Sequence, residues 1–430
     1  MRCQPSLNRQ ILALAVPALG ALAAEPLFLL TDTAMVGHLG ETALAALAIA
    51  QTIIQTTLGL MIFLAYATTP RVAHRLGAGD TRGAVSAGFD GMWLALAISL
   101  LLLCCLPLLP WLISQFSPPV AVASAALDYV TISWWGLPCM LLVIASTGLL
   151  RGLHDTRTPL VIATCGFLAN IALNYVFIYI VTMGVAGSAL GSVIANAVMC
   201  MVYVAIAIRA AKKHGSQIRP NFTGVFHAAI NSVWLLIRNL SLRSSLIILV
   251  AIATSLGTTQ LAAVQVVQSL FFSLALILDS LAIAGQALIG VSRGAGDKER
   301  MQHVTRRLVY WGVISGVIAG VILAVTAPVL AQLFTSDNGV SRLLTGLIWI
   351  LAASLPLAGY VFTLDGVLMG AEDVKYLAGV QIMALAAFCL VLSAVWIWPH
   401  VYILWACFAC GFMLARGVGL GWRYRKIGFA

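Results

Sequence analysis

The chain has 430 residues, 61 % of them hydrophobic and only 9 % charged, with a formal net charge of +10. An ordinary soluble domain carries about 25 % charged residues, so this chain lacks the polar surface to face water on all sides. A soluble enzyme and a nucleic-acid-binding domain are excluded on that ground, and the placement of the basic residues gives the positive charge another meaning.

Apolar runs of about 18 or more residues recur along the whole length, each able to cross a hydrocarbon core of about 30 Å as a helix. In chain order they cover residues 10–36, 44–69, 86–113, 124–150, 159–182, 185–208, 240–257, 262–291, 308–333, 343–369, 376–398 and 401–421. The first run follows Arg2 and Arg9, but it is too long for a signal peptide and leads into more membrane, so cleavage is not expected. Counted from a cytoplasmic N-terminus, 23 of the 24 Lys and Arg are assigned to one side, in its loops or in the spans that flank them, with only Arg342 opposite. That asymmetry predicts both termini in the cytoplasm and an even number of spans. The same charge is expected to touch anionic lipids, and nucleic acid is not an expected partner.

Four of the fourteen acids, Glu25, Asp32, Asp279 and Asp365, fall well inside predicted spans, where a charge is expensive and a functional role is the default expectation. No Lys or Arg is expected deep enough to neutralise them, so they are expected to take up a proton or a metal cation. Glu25 and Asp32 are two turns apart on span one and share a face about 10 Å apart. Pro17 and Pro26 remove backbone hydrogen bonds from that helix and give it places to kink. Span five places Asn170 and Asn174 on one face, and Ser188 and Ser192 of span six extend that polar cluster; interhelical hydrogen bonding is the simpler reading of such amides. Asp279 and Gln286 repeat the seven-residue spacing on span eight, and Asp365 precedes Gly366 in span ten. For these two acids a substrate or gating role stands beside a structural one. Cys407 and Cys410 form a lone CxxC inside an apolar span, so neither metal nor redox function is expected there.

The chain also repeats itself. Residues 44–80 align without a gap to residues 261–297 at an offset of 217, both ending Gly-Ala-Gly-Asp, with Gln51 on Gln268. At an offset of 218, Gly148 meets Gly366, Gly152 meets Gly370 and Asp155 meets Asp373. An offset of six spans returns the second half in the same orientation, a parallel repeat about the membrane normal. The expected organisation is an N-terminal six-helix lobe over residues 1–209, a basic cytoplasmic linker over 210–239 and a C-terminal six-helix lobe over 240–430. The linker is expected as a solvated tether, with an interfacial helix near Phe226 to Ile237. At offset 218, Asn170 and Asn174 meet Phe388 and Leu392, so the polar cluster belongs to the first lobe only. Gly77-Ala-Gly79 follows a helix and lacks a third glycine, and no GxxxxGK[ST] sequence is present, so neither dinucleotide binding nor ATP hydrolysis is expected. The chain reads as a transporter driven by an ion gradient.

Asp32-Thr33-Ala34-Met35-Val36-Gly37-His38-Leu39-Gly40, Gly77-Ala78-Gly79-Asp80, Leu150-Arg151-Gly152 through Asp155-Thr156-Arg157, and Leu278-Asp279-Ser280 together resemble the multidrug and toxic compound extrusion (MATE) family, and more closely its DNA-damage-inducible protein F branch. The resemblance covers essentially the whole chain. It implies an all-α integral membrane protein of twelve transmembrane helices in two pseudo-symmetric lobes, V-shaped, in the bacterial cytoplasmic (inner) membrane. The implied activity is export of small organic cations or amphiphiles in exchange for protons, or for sodium held by Asp32, Asn170 and Asn174. By the same resemblance Asp32 is the protonation site, Pro17 the bend, and Asn170, Asn174 and Ser192 the supporting network, while Asp279 is similar to an acid linked to substrate or proton binding. Gln286, Asp365, Gln51 and Gln268 complete the expected substrate or gating set. Two departures stand out: several relatives carry an aspartate where Asn174 stands, and some carry a glutamate at Gln286, while Glu25 is an extra acid that would compensate. No cofactor is expected beyond the coupling ion, and the chain is expected to be monomeric. A lipid-linked precursor flippase of related fold is the alternative from another class.

Overall fold

The structure, a computed structural model, describes residues 6–334, 338–393, 395 and 400–427. Arg2 and the end of the eleventh predicted span lie outside the described residues, among which there is no strand. Eleven helices are each long and apolar enough to span a membrane, and one bent pair makes a twelfth. They are α1 (Leu7–Gly37), α2 (Glu41–Gly77), α3 (Thr81–Leu103), α4 (Val120–Trp135 and Leu137–Gly152), α5 (Arg157–Ile180), α6 (Gly184–His214), α7 (Phe222–Leu256), α8 (Thr258–Gly294), α9 (Lys298–Phe334), α10 (Gly339–Gly370), α11 (Val374–Val391) and α12 (Val401–Lys426).

Local chemistry explains where these helices depart from the predicted runs. The third run was expected to reach residue 113, yet α3 stops at Leu103 and the chain continues as the short helices Leu106–Leu108 and Leu109–Ser114. Pro107 and Pro110 lack the N–H a continuous helix needs there. In α4, Gly136 followed by Leu137-Pro138 marks a bend of 50° between its two parts. Two stretches widen to π geometry, Val176–Ile180 in α5 and Cys407–Phe412 in α12.

The described chain divides into two compact units. One runs from Gly20 to Ser232; the other comprises the segment ending at Leu19 and the chain from Val233 onward. In the first, the second half of α2 packs on α3 and on Leu137–Gly152 of α4, and α5 packs on α6. Its core joins Val36, Leu47, Ile53, Tyr129, Trp134 and Ile178. In the second, α10 packs along α8 and α9. There Ile11 and Leu14 at the start of α1 are buried with Leu281, Leu288 and Leu308, and Asn8 accepts a hydrogen bond from Trp311 at 3.2 Å. The division of α1 falls between Leu19 and Gly20, just beyond Pro17.

The sequence repeat returns as repeated contacts. A Cβ on Gly148 would lie 3.0 Å from the carbonyl oxygen of Ala65, and one on Gly366 2.5 Å from that of Ala282. Gly152 meets the Thr69 carbonyl and Val72; Gly370 meets the Gln286 carbonyl and Ile289. The same close crossing, of α2 with α4 and of α8 with α10, is therefore built twice from positions 217 or 218 apart, and only glycine allows the backbones so near. The loops agree: Gly79 and Gly296 have φ of 79° and 68°, and Asp80 and Asp297 each accept a hydrogen bond from the backbone N–H three residues on, at 2.7 and 2.8 Å.

Of the linker expected over residues 210–239, the stretch near Phe226 to Ile237 is helical as expected, but it is the start of the seventh long helix, and the non-helical connection is short. α6 continues to His214, capped by Gly215 at φ 64°, and α7 begins at Phe222, eighteen residues before the predicted start of its span. The short connection is held to its unit by side chains. Ser216 donates to the Arg82 carbonyl at 3.0 Å, Trp93 donates to the Ile218 carbonyl at 2.9 Å, and Arg71 donates to the Gly224 carbonyl at 3.1 Å.

Candidate functional site

Asp32 sits on α1 five residues before the helix ends, and none of its surface is exposed. Four side chains from four different helices donate to it. On Oδ1 these are Asn174 Nδ2 of α5 at 3.1 Å and the Ser188 hydroxyl of α6. On Oδ2 they are Gln51 Nε2 of α2 and Tyr129 Oη of α4, each at 3.2 Å. Asn170, buried one turn before Asn174, exchanges bonds of 3.3 Å with its amide in both directions and donates to Ser192 Oγ at 3.0 Å. No Lys, Arg or His lies within 4.0 Å of this carboxylate among the described residues.

The supports of the network are equally specific. A Cβ on Gly191 would fall against the Asn174 side-chain oxygen and 3.1 Å from its backbone nitrogen, so α6 presents bare backbone where the amide needs room. The π turn after Asn174 brings Tyr179 onto α1, where its hydroxyl donates to the Met35 carbonyl at 2.7 Å. That carbonyl is free to accept because α1 tightens here, with Leu39 N–H bonding Val36 instead. At the repeat-related place in the other unit, Phe388 is fully buried with ring centroids 6.0 and 5.9 Å from Phe408 and Phe412. Aromatic packing fills the position that the amides hold in the first unit.

Asp32, Asn170, Asn174, Ser188 and Ser192 are thus brought together, and Gln51 joins them on the carboxylate itself. Glu25 is not part of this network; its side chain is exposed and makes no hydrogen bond or ion pair among the described residues. Pro17 and Pro26 lie within α1, which is continuous helix through both. Tyr129 was missed by sequence reasoning, the only signal being a lone phenol inside an apolar run, whose hydroxyl needs a partner when buried.

In the other unit the expectation that no basic residue reaches the acids is overturned. Arg238 of α7, expected in the linker, and Arg416 of α12 are buried, and both bind Asp365 Oδ2, Arg238 at 2.7 Å. For Arg238 the reach of the helix explains this, since α7 begins well before its apolar run; Arg416 lies within the apolar run of α12 itself, a basic residue inside a span. The Arg416 guanidinium also lies over the rings of Phe362 and Phe412, 5.9 and 5.7 Å from their centroids. Asp279 is half-buried on α8. Gln286 and Gln268 are buried on α8, with Gln286 Nε2 against Met369 Sδ at 3.5 Å. No group of three or more His, Cys, Asp or Glu suited to a metal ion occurs among the described residues.

Twelve spans built twice from one six-helix plan, with a buried acid met by neutral donors, define a polytopic integral membrane protein of the transporter class. The chain belongs to the MatE family, the multidrug and toxic compound extrusion transporters, whose profile matches residues 17–176 and 235–398, once in each half. It is similar to Protein DETOXIFICATION 43 of Arabidopsis thaliana, 29 % identical over 88 % of this chain and 84 % of that one. It is also similar to DNA damage-inducible protein F of Escherichia coli (strain K12), 26 % identical over 98 % and 93 %. Among solved structures, the Vibrio cholerae MATE transporter VcmN in the bent form shares the fold with a TM-score of 0.89 at 20 % identity, covering 98 % of this chain and 97 % of that one.

Proposed function

We propose that this chain is a proton-coupled antiporter that exports small organic cations or amphiphiles from the cytoplasm, with Asp32 as the group that gains and loses the proton. The observation that supports this reading is that all four contacts to the buried carboxylate come from neutral donors. A carboxylate paired with arginine keeps its charge; one held by amides and hydroxyls exchanges a proton without leaving a partner ion stranded.

The donors also suit a proton more than sodium. Asn174 aims Nδ2 at Asp32, whereas sodium bound by Asp32, Asn170 and Asn174 would need the amide oxygens turned toward one point. The Ser188 and Tyr129 hydroxyls rotate freely between donating and accepting, so each can receive the hydrogen of a protonated Asp32. The amide on the oxygen that takes the proton, Asn174 on Oδ1 or Gln51 on Oδ2, loses much of its acceptor, and the other keeps a bond no longer strengthened by charge, which loosens α1 from α5 and α2. With protonation from the periplasm, α1 bends at Pro17, where the contacts of the helix change unit, and the first lobe repacks to release substrate outward. Proton release to the cytoplasm restores the starting state. A ligand drives such a cycle only through unequal affinity for two conformations, and the proton meets that condition because it breaks specific bonds in one of them.

The test is dye export from proteoliposomes under separately imposed proton and sodium gradients, in the wild type and in Asp32→Asn. The expected result is export driven by the proton gradient alone, and a variant that reaches the membrane without exporting. Near-wild-type export by Asp32→Asn, or export that follows sodium at fixed pH, refutes the reading.

A further inference from the structure

The segment joining α6 to α7 turns its backbone inward and its side chains outward. Its inward bonds to Arg82, Trp93 and Arg71 are described above, and the Cα of Gly224, whose carbonyl Arg71 grips, faces Asp90, itself 4.0 Å from Arg71. Outward, Arg209, Lys212, Lys213 and Arg219 are exposed, as is Arg82 in the first turn of α3. Residues 210–239 contain no acid at all. Lys212 and Lys213 sit in the last turn of α6, where the helix dipole favours a cation, but Arg219 lies in the connection and Arg82 in the first turn of α3, where no dipole favours one.

Beside these cations, the first turns of α7 expose Phe222, Phe226 and Ile230, which are 85, 65 and 42 % accessible, at a four-residue spacing that puts them on one stripe. The opposite side of the same turns is buried at Ala228 and Ser232. At 35 residues α7 is about 50 Å long, well beyond the roughly 30 Å of a hydrocarbon core, so its first turns reach the headgroup region. Aromatic rings next to lysines and arginines at that depth match an acyl-chain boundary under a layer of phosphates.

We propose that Lys212, Lys213 and Arg219, with Phe222 and Phe226, form a binding site for an anionic phospholipid of the cytoplasmic leaflet. The cations hold the headgroup phosphate and the rings sit against the first carbons of the acyl chains. The bonds from Ser216 to Gly224 keep the site assembled on the helices beneath, so the lipid meets a preformed surface.

Native mass spectrometry of the full chain released from mixed phosphatidylglycerol and phosphatidylcholine micelles tests this. The wild type is expected to retain phosphatidylglycerol with a preference on the order of tenfold. The triple variant Lys212→Gln, Lys213→Gln, Arg219→Gln is expected to lose that preference, while Lys212→Arg, Lys213→Arg keeps it and shows that charge rather than misfolding is read. Phe222→Ser with Phe226→Ser is expected to weaken retention of both lipids. A preference that survives in the triple glutamine variant, or is absent from the wild type, overturns the assignment. Competition by soluble glycerol 3-phosphate as strong as by the lipid overturns the part given to the rings.

Discussion

Asn174 Nδ2 lies 3.1 Å from Asp32 Oδ1, joining α5 to α1 across 142 residues of sequence. An acid in place of this amide sets two carboxylates against each other at hydrogen-bond distance, and such a pair titrates as a unit, sharing one proton before releasing it. Asn174→Asp is therefore expected to remain functional, to draw more protons per exported dye molecule and to show a steeper pH profile. A pH-sensitive dye trapped in proteoliposomes gives the ratio; an unchanged ratio and slope would mean that the second acid stays protonated throughout the cycle.

Tyr129→Phe removes one of the two donors on Oδ2 without changing the shape of the core. Donors to the ionised form favour it, so the loss of one makes proton uptake easier, and half-maximal export should move to higher pH. The measurement is dye efflux across a pH series at constant gradient. A downward shift would show that the phenol accepts from Asp32 rather than donating to it.

Gly191→Ala places a methyl group against the Asn174 amide. Displacing that amide by part of an ångström should cost export on the order of tenfold or more while leaving expression and membrane insertion intact, since the polar groups themselves remain. Replacement of Gly379, which has open space within 4 Å of a Cβ, serves as the control.

Around Asp365 the expected effect is on stability. Removing one partner of a buried ion pair costs about 3–5 kcal/mol because the remaining charge is left uncompensated. Asp365→Asn strands two arginines and should lower the thermal unfolding temperature in detergent more than Arg416→Met, which leaves Asp365 with Arg238. The reverse order would show that Arg416 holds the helices mainly through its aromatic contacts.

Span number and the internal repeat were legible in the sequence because both are carried by long runs or by matched glycines and aspartates, and single contacts hardly perturb them. The polar cluster was legible too: an acid at membrane depth, two amides one turn apart and a serine pair one helix on must find polar partners, and they find one another. What stayed hidden depends on chain geometry. The reach of α7 beyond its apolar run sets Arg238 beside Asp365, and nothing in hydropathy reports how far a helix continues into polar residues; Arg416 stood inside its run, but averaging over so apolar a stretch hid it. Tyr129 stayed hidden because a phenol among apolar neighbours has no periodicity that names its partner. Glu25 erred the other way, since the seven-residue spacing that gave it a shared face with Asp32 did not give it shared partners.

The twin crossings at Gly148 and Gly366 bear on ancestry. A six-helix ancestor whose gene was doubled head to tail delivers both copies with that crossing already formed, and any methyl added there afterwards forces backbones apart, so the crossing is closed to drift. Change accumulates off it instead, which leaves one copy with amides where its sister carries edge-packed rings, and one scaffold with two differently filled halves.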